Sequence, residues 1–363
     1  MTSTYIETGA RIRVYDSTVQ THNALPVGTY RVHYDTKEGF SLLKMPDLAV
    51  GGTVYGAREQ KVKKILTAYD RTERSLGVML SGDKGQGKSL FVRMLSEAAI
   101  ARQMPVVLVT EDADGIADFL DTLDECLIIF DEFEKTFEAP TRRSSFDGPN
   151  RQNQFLSLFD GISTVKRIYC LTVNDVMDVS PYIVNRPGRF HYHMRFDYPG
   201  PDDVRRYLSD EAPLAAQSEI DSAVLFSRRV RLNYDHLRAI AFEINDPAAR
   251  FSDCVGDLNI KAIEPSEYRI EAKFADGKVF ADEAALNLFE RGNEGRTVEL
   301  RHNQESLFFS FLPRDLVFED DGSIYIPSQK MDILDEDEEP LEELPVSVSL
   351  ALVGQASYAY DGF

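Results

Sequence analysis

The stretch Gly82-Asp83-Lys84-Gly85-Gln86-Gly87-Lys88-Ser89 fits G-x-x-x-x-G-K-[ST] at every fixed position. That spacing suits one kind of chemistry, the holding of a chain of phosphates. Glycines let backbone N–H groups turn inward and meet phosphate oxygens with no Cβ in the way. Lys88 would bring its ammonium to the β- and γ-phosphates, and Ser89 would offer a hydroxyl to Mg²⁺. Asp83, Lys84, Gly85, Gln86, Gly87 and Leu90 complete the expected phosphate contacts. Forty-three residues after Lys88, an apolar run ends in Asp131-Glu132. Two carboxylates delivered there can divide the work: Asp131 holds the Mg²⁺ through water, and Glu132 polarises an attacking water as general base.

These residues need particular elements to position them. Gly77-Val78-Met79-Leu80 reads as a strand feeding the glycine loop, and Phe91, Met94, Leu95 and Ala98 recur at helical spacing after it. Such a helix adds the partial positive charge of its N-terminus to the loop. Leu127-Ile128-Ile129-Phe130 reads as a buried parallel strand, and ligands of open α/β sheets bind at the carboxyl edge of such strands. Further strands are expected over residues 105–110 and 167–173, the second ending at Asn174. Helical stripes carry Val62, Ile65, Leu66 and Tyr69, then Ile116, Phe119, Leu120 and Leu123, then Phe155, Leu158, Phe159 and Ile162.

The rest of the chain differs in character. Residues 11–15, 30–34 and 40–45 alternate or run apolar like short strands, with Pro26 and Gly28 as a turn signal. Residues 201–250 are helical in pattern, with Leu237, Ile240, Ala241 and Ile244 as one stripe. Residues 268–274, 297–302, 306–311 and 316–327 read as strands, the last containing a tight turn at Asp320-Asp321-Gly322. An acidic run from Asp332 to Glu343 then reads as a solvated linker, followed by a tail with Val346, Val348, Leu350 and Leu352 in alternation.

Composition bounds the function. The net charge is −20, from 40 basic and 60 acidic residues, which argues against a protein that coats nucleic acid. No run of eighteen apolar residues is present, so no membrane span is expected, and the first ten residues have no apolar core of signal-peptide type. Cys126, Cys170 and Cys254 lie far apart and read as unpaired thiols of a reducing, cytoplasmic compartment. A basic loop bearing Arg142, Arg143 and Arg151 reads as solvated, or as the lining of a channel in a nucleic-acid motor.

Taken together, these marks resemble the AAA+ ATPases, and within them the AAA clade proper. Gly82 to Ser89 matches Walker A, and Leu127 to Glu132 matches Walker B. The segment Gln154-Phe155-Leu156-Ser157-Leu158-Phe159-Asp160-Gly161-Ile162 is similar to that clade's Leu-Leu-x-x-Leu-Asp-Gly helix. Asn174 falls at the family's sensor 1 position, where its amide helps hold the attacking water. Arg186-Pro187-Gly188-Arg189-Phe190 resembles the arginine-finger signature, and Val54-Tyr55-Gly56 lies where the family's linker brushes the adenine. The resemblance covers roughly residues 51 to 250. Two features depart from it. Only sixteen residues run from Glu111 to Cys126, with no aromatic before Gly115, where protein-threading members carry an aromatic pore loop. The shortened segment is similar to that of the Rieske-protein translocase subgroup. The lid motif, Asn233-Tyr234-Asp235-His236-Leu237, lacks the usual small pair.

The resemblance implies an α/β fold: a P-loop core with a parallel sheet and helical lid, flanked by small N- and C-terminal β-rich domains. The expected division is an N-terminal β unit (1–50), the large ATPase subdomain (51–200), the lid (201–254), a C-terminal β unit (255–331) and an acidic linker and tail (332–363). ATP and Mg²⁺ would be bound between core and lid, with Tyr55 and Gly56 near the adenine and Ser89 and Asp131 on the metal. Lys88, Glu132 and Asn174 would serve the chemistry, with Arg186 and Arg189 supplied by a neighbour in a homo-oligomeric ring, a hexamer in the resembled clade. The implied work is remodelling or translocation of a macromolecule, protein before nucleic acid. The alternatives are a nucleic-acid motor or loader, and a switch that binds ATP and hardly turns it over.

Overall fold

A computed structural model describes residues 4–353 apart from 9, 16–18, 52–53, 56–57, 139–149, 161–164, 185, 187, 229, 261–264, 288–294, 304, 320–322, 337–338 and 342. The described chain falls into two compact units, residues 1–196 and 197–363. The first unit contains β1 (Thr4–Thr8), β2 (Arg11–Tyr15), β3 (Thr29–Asp35), β4 (Gly39–Met45), α1 (Arg58–Arg71), β5 (Leu76–Ser81), α2 (Lys88–Ala101), β6 (Val106–Val109) and α3 (Ile116–Asp121). It continues with β7 (Leu127–Phe130), α4 (Phe133–Thr136), α5 (Leu156–Phe159), β8 (Ile168–Val173), α6 (Pro181–Val184) and β9 (Tyr192–Arg195).

Seven strands form one sheet in the order β4-β3-β6-β7-β8-β5-β9. All neighbours are parallel except β3 and β4, which form an antiparallel hairpin. The central strands β5, β7 and β8 are buried at every position, which suits near-continuous apolar runs covered on both faces. Alternation along each strand divides the core. Ile128 and Phe130 face one side with Phe133, Phe137, Phe155 and Phe159. Leu127 and Ile129 face the other with α1 and α2 residues such as Ile65, Phe91 and Leu95. The phenylalanine group packs mostly edge to face around Phe130, and Phe155 lies 5.1 Å from its ring centre.

The first fifty residues do not stand apart as a separate β domain. β3 pairs with β6 in parallel and buries Val32 in the main core, so β3 and β4 extend the seven-stranded sheet at one edge. Phe40 of this hairpin stacks on Phe119 of α3 at 5.0 Å. Only β1 and β2 form their own two-stranded sheet.

The second unit opens with four helices, α7 (Pro201–Glu211), α8 (Gln217–Ser227), α9 (Tyr234–Ile244) and α10 (Phe251–Cys254), which cover the span expected of the lid. Asn233 caps α9 by accepting from His236 N at 2.8 Å, and His236 Nδ1 closes the capping box. The helices lead to an all-antiparallel sheet in the order β14-β15-β17-β10-β11-β12-β13-β16. Its strands are β10 (Ser266–Lys273), β11 (Val279–Leu286), β12 (Arg296–His302), β13 (Glu305–Phe311), β14 (Val317–Phe318), β15 (Ile324–Ile326), β16 (Met331–Leu334) and β17 (Ser347–Leu352). The turn expected at Asp320-Asp321-Gly322 lies outside the described residues, between the paired strands β14 and β15.

The boundary drawn before the acidic run is moved by these strands. β16 pairs with β13, and β17 inserts between β15 and β10, so the segment after residue 331 completes the sheet rather than trailing from it. Val348 and Leu350 enter the same core as Ile270 and Phe309 because a strand alternates its side chains between two faces. Leu350→Ala should cost about 2–5 kcal/mol by leaving a cavity in that core. Chemical denaturation should then show an earlier transition of the C-terminal sheet; an unchanged transition would remove β17 from it.

Candidate functional site

Strands β7, β8 and β5 are neighbours, so the residues at their carboxyl ends emerge side by side: Asp131-Glu132, Asn174 and the loop Gly82–Ser89. The loop passes through positive φ at Gly82 (144°), Gly85 (79°) and Gly87 (90°). A Cβ at Gly82 would lie 2.2 Å from the Phe196 carbonyl oxygen, so only glycine lets the loop leave the strand there. Gly87 is the N-cap of α2, which aims the helix's free N–H groups at the loop. Arg58, buried at the start of α1, supports the loop from behind by donating to the Gln86 carbonyl at 3.1 Å.

Lys88 is 8% exposed and folds back over the loop. Its ammonium donates to the Gly82 carbonyl, to the Asp83 carbonyl at 3.0 Å and to Asn174 Oδ1 at 3.0 Å. Burial pulls its pKa below the ordinary lysine value, opposed by the nearby charges of Glu134, Asp83, Glu132 and Asp131. Lys84 and Ser89 are exposed and Leu90 is half-buried, while the Gln86 amide is buried without a hydrogen bond.

The Asp-Glu pair is held by β8. Thr172 Oγ1 donates to Asp131 Oδ1 at 2.7 Å and accepts from the Glu132 backbone N–H at 2.8 Å. Glu132 itself is left-handed (φ 46°, ψ 54°), a strained conformation for a residue with a Cβ. Its carboxylate lies 2.5 Å from Lys135 Nζ, and that hydrogen bond holds its pKa below the usual glutamate range. The group is therefore ionised and able to accept a proton at neutral pH. Asn174 donates its backbone N–H (2.9 Å) and its Nδ2 (2.8 Å) to Glu134 Oε1.

These residues fit a Mg²⁺-nucleotide. Ser89 and Asp131 are both exposed at the loop and would hold the ion. Bound there, Mg²⁺ neutralises charge on the β- and γ-phosphate oxygens. Lys88 is already seated on carbonyl oxygens that phosphate oxygens could replace.

The other expected site residues are placed differently. Tyr55 is buried at 3% exposure, and Gly56 lies outside the described residues. Arg189 departs from its expected role. It is 6% exposed, and its guanidinium binds both carboxylate oxygens of Asp160 and the Tyr182 carbonyl within its own chain. A guanidinium held in that fork does not face a neighbour. Arg186, three residues earlier, has a side chain 59% exposed and reaches Asp160 only at 4.0 Å. Arg151 pairs with Asp114 at 2.5 Å and Asp112 at 3.4 Å, so it is not a free basic lining; Arg142 and Arg143 lie outside the described residues.

Thr172, Glu134, Lys135 and Arg58 carry geometry that no motif assigned, and Asp160 binds Arg189, which its motif did not indicate. A signal existed for two of them. Thr172 sits two residues before Asn174, and Glu134 two after Glu132, at spacings that share a strand face or a tight turn. The pairing of Arg189 with Asp160 spans 29 residues and is invisible to spacing.

Residues 78–198 match the family model of the "ATPase family associated with various cellular activities (AAA)". Among curated relatives, the chain is 28% identical over 156 residues to the peroxisomal ATPase PEX1 of Homo sapiens, covering 38% of this chain and 12% of that protein. It is 27% identical over 124 residues to a putative cell division cycle ATPase of Plasmodium falciparum (isolate 3D7), covering 31% of this chain and 10% of that one. It is 23% identical over 188 residues to protein mac-1 of Caenorhabditis elegans, with 46% and 23% covered. The chain thus spans less than a quarter of the length of these relatives. Residues 78–198 are therefore similar to an AAA ATPase domain.

Glu132→Gln should preserve nucleotide binding and lower turnover by roughly 10²–10⁴-fold, since an amide cannot take the water's proton. Lys88→Ala should instead raise the dissociation constant for ATP. Parallel turnover and fluorescent-nucleotide titrations separate the two effects; near-parent turnover in Glu132→Gln would remove it as base.

Proposed function

We propose that this protein is an AAA+ ATPase of the arginine-finger type that works as a homo-oligomeric ring, a hexamer by family resemblance, and couples ATP turnover to moving or remodelling a protein partner. The observation that carries the ring is the division of the arginine loop. Arg189 is spent inside the chain, whereas the Arg186 guanidinium is exposed beside it with Asp160 already occupied. An exposed arginine on such a loop can complete a neighbour's site, and an interface of that kind is head-to-tail and closes into a ring. Lys88, Glu132 and Asn174 would act in the subunit that binds ATP. Arg186 would add transition-state charge from the next subunit.

A protein partner is favoured over nucleic acid by the charge of −20 and by the pairing of Arg151 with Asp112 and Asp114. The segment between β6 and β7 supports a mode other than gripping an extended chain. It is short, Ile116, Ala117 and Leu120 of α3 are buried, and Phe119 is stacked against Phe40. Among the described residues no helix is long and apolar enough to cross a membrane.

The test mixes two inactive variants. Arg186→Ala should leave the melting temperature and ATP affinity near the parent's and depress turnover by about 10³-fold or more. Arg189→Ala should instead lower the melting temperature, because it leaves Asp160 without its partner. Arg186→Ala and Lys88→Ala subunits, mixed and exchanged, should regain activity, since an intact Lys88 then faces an intact Arg186. No recovery in rings shown to exchange subunits would sink the trans assignment.

A further inference from the structure

Glu134 is 9% exposed, and its two oxygens are unequal. Oε1 accepts from both the backbone N–H and the side-chain amide of Asn174, at 2.9 and 2.8 Å. Oε2 is buried and makes no hydrogen bond. A half-satisfied buried carboxylate is a costly thing for a fold to keep. Its position suggests what it does. A side-chain amide can present either of two faces, an oxygen that accepts or a nitrogen that donates. An ionised carboxylate only accepts, so Glu134 draws Nδ2 toward itself. The Oδ1 face is thereby turned the other way, where it accepts from Lys88 Nζ at 3.0 Å.

The consequence concerns what Asn174 can recognise. When Lys88 moves onto phosphate oxygens, Oδ1 loses its donor while Nδ2 stays engaged by Glu134 and, with its second hydrogen, by Glu132. Asn174 then presents its Oδ1 as an acceptor beside the phosphates. An acceptor repels phosphate oxygens and attracts an O–H group. We infer that Glu134 is a positioning residue that locks the Asn174 amide with its oxygen toward the reaction, so that Asn174 orients the attacking water rather than binding the γ-phosphate. This rests on the assignment of Lys88 and Asn174 to the ATP site. The reaction itself is unchanged: water's oxygen bonds to the γ-phosphorus, Glu132 takes its proton, the bond from the γ-phosphorus to the β–γ bridging oxygen breaks, and ADP and phosphate leave.

The experiment is a double-mutant cycle on steady-state turnover, with thermal melting and nucleotide binding measured for each protein. Asn174→Ala and Lys88→Ala are read first. If neither lowers ATP turnover, the site assignment fails, and that failure is distinct from failure of the Glu134 role. Glu134→Leu fills the same space without an acceptor and should lower kcat by about 10²-fold, the cost expected of a misplaced reacting group, with KM within about threefold of the parent. Glu134→Gln keeps an acceptor oxygen at the same reach and should retain kcat within about threefold. In the Asn174→Ala background, Glu134→Leu should lower kcat by less than about threefold more. If Glu134→Leu does not fold, Glu134→Asp carries the same cycle, because it keeps the charge and withdraws the oxygen by one methylene. Independent, multiplying losses from Glu134 and Asn174 would overturn the proposal. So would a fall in Glu134→Gln equal to that in Glu134→Leu, since the charge and not the hydrogen bond would then be acting.

Discussion

The candidate site depends on β8 lying between β5 and β7. That one strand carries Thr172 and Asn174 on the same face, two residues apart, and each reaches sideways to a neighbour. Thr172 holds Asp131 and the backbone of Glu132 on the β7 side. Asn174 meets Lys88 on the β5 side and Glu134 just beyond β7. Strand order thus brings the Asp131-Glu132 pair, Asn174 and the glycine loop to neighbouring strand ends, about 4.8 Å apart per strand, while loop conformation sets Lys88 and Glu132 within that frame. The apolar residues that bury β8 on both faces are what hold that spacing, because a shift of register would turn Thr172 and Asn174 away.

Much of this was legible before any coordinates. The glycine loop fixes itself, since its residue types admit few other conformations, and the runs 77–80 and 127–130 are apolar enough to be nothing but central strands. Motif order then placed Asn174 and the arginine loop. What spacing could not reach were contacts across sequence. The β3–β4 hairpin has the pattern of an independent β unit, and only its pairing with β6, more than seventy residues on, shows that it belongs to the main parallel sheet. β11 escaped for a different reason: the half-buried Asp282, on the same face as Phe280 and Leu286, interrupts its apolar alternation. The acidic run disguised β16, whose exposed Asp332 looks like the start of the linker that follows it.

The arginine loop shows how burial separates two residues that sequence treats as equals. Arg186 and Arg189 flank the same short turn and carry the same charge. Asp160 can offer one carboxylate fork, and Arg189 occupies it, lowering the Asp160 pKa and leaving Arg186 to solvent. Arg189 therefore acts as the anchor that gives its neighbour a defined place. Without such an anchor, an exposed arginine on a turn loses most of its value, since fixing a mobile side chain costs rotamer entropy at the moment of use.

That anchor also ties the loop to the phosphate site by contacts that leave no room for a side chain. Gly77, in the strand that ends at the glycine loop, donates nothing of its own bulk: a Cβ there would lie 2.1 Å from the Arg189 carbonyl oxygen and 2.9 Å from the Phe190 Cα. On the same strand, the Gly77 carbonyl accepts from the His191 N–H at 2.9 Å. Five residues later the Gly82 backbone passes against Phe196, at the far end of the segment that begins with the arginines. The chain from Arg189 to Phe196 is thus laid along β5 by backbone contacts at both ends, with β9 paired in parallel between them. Interior backbone of this kind is close-packed and does not deform gradually. A change in how β5 presents the glycine loop must therefore be matched by the segment from Arg189 to Phe196.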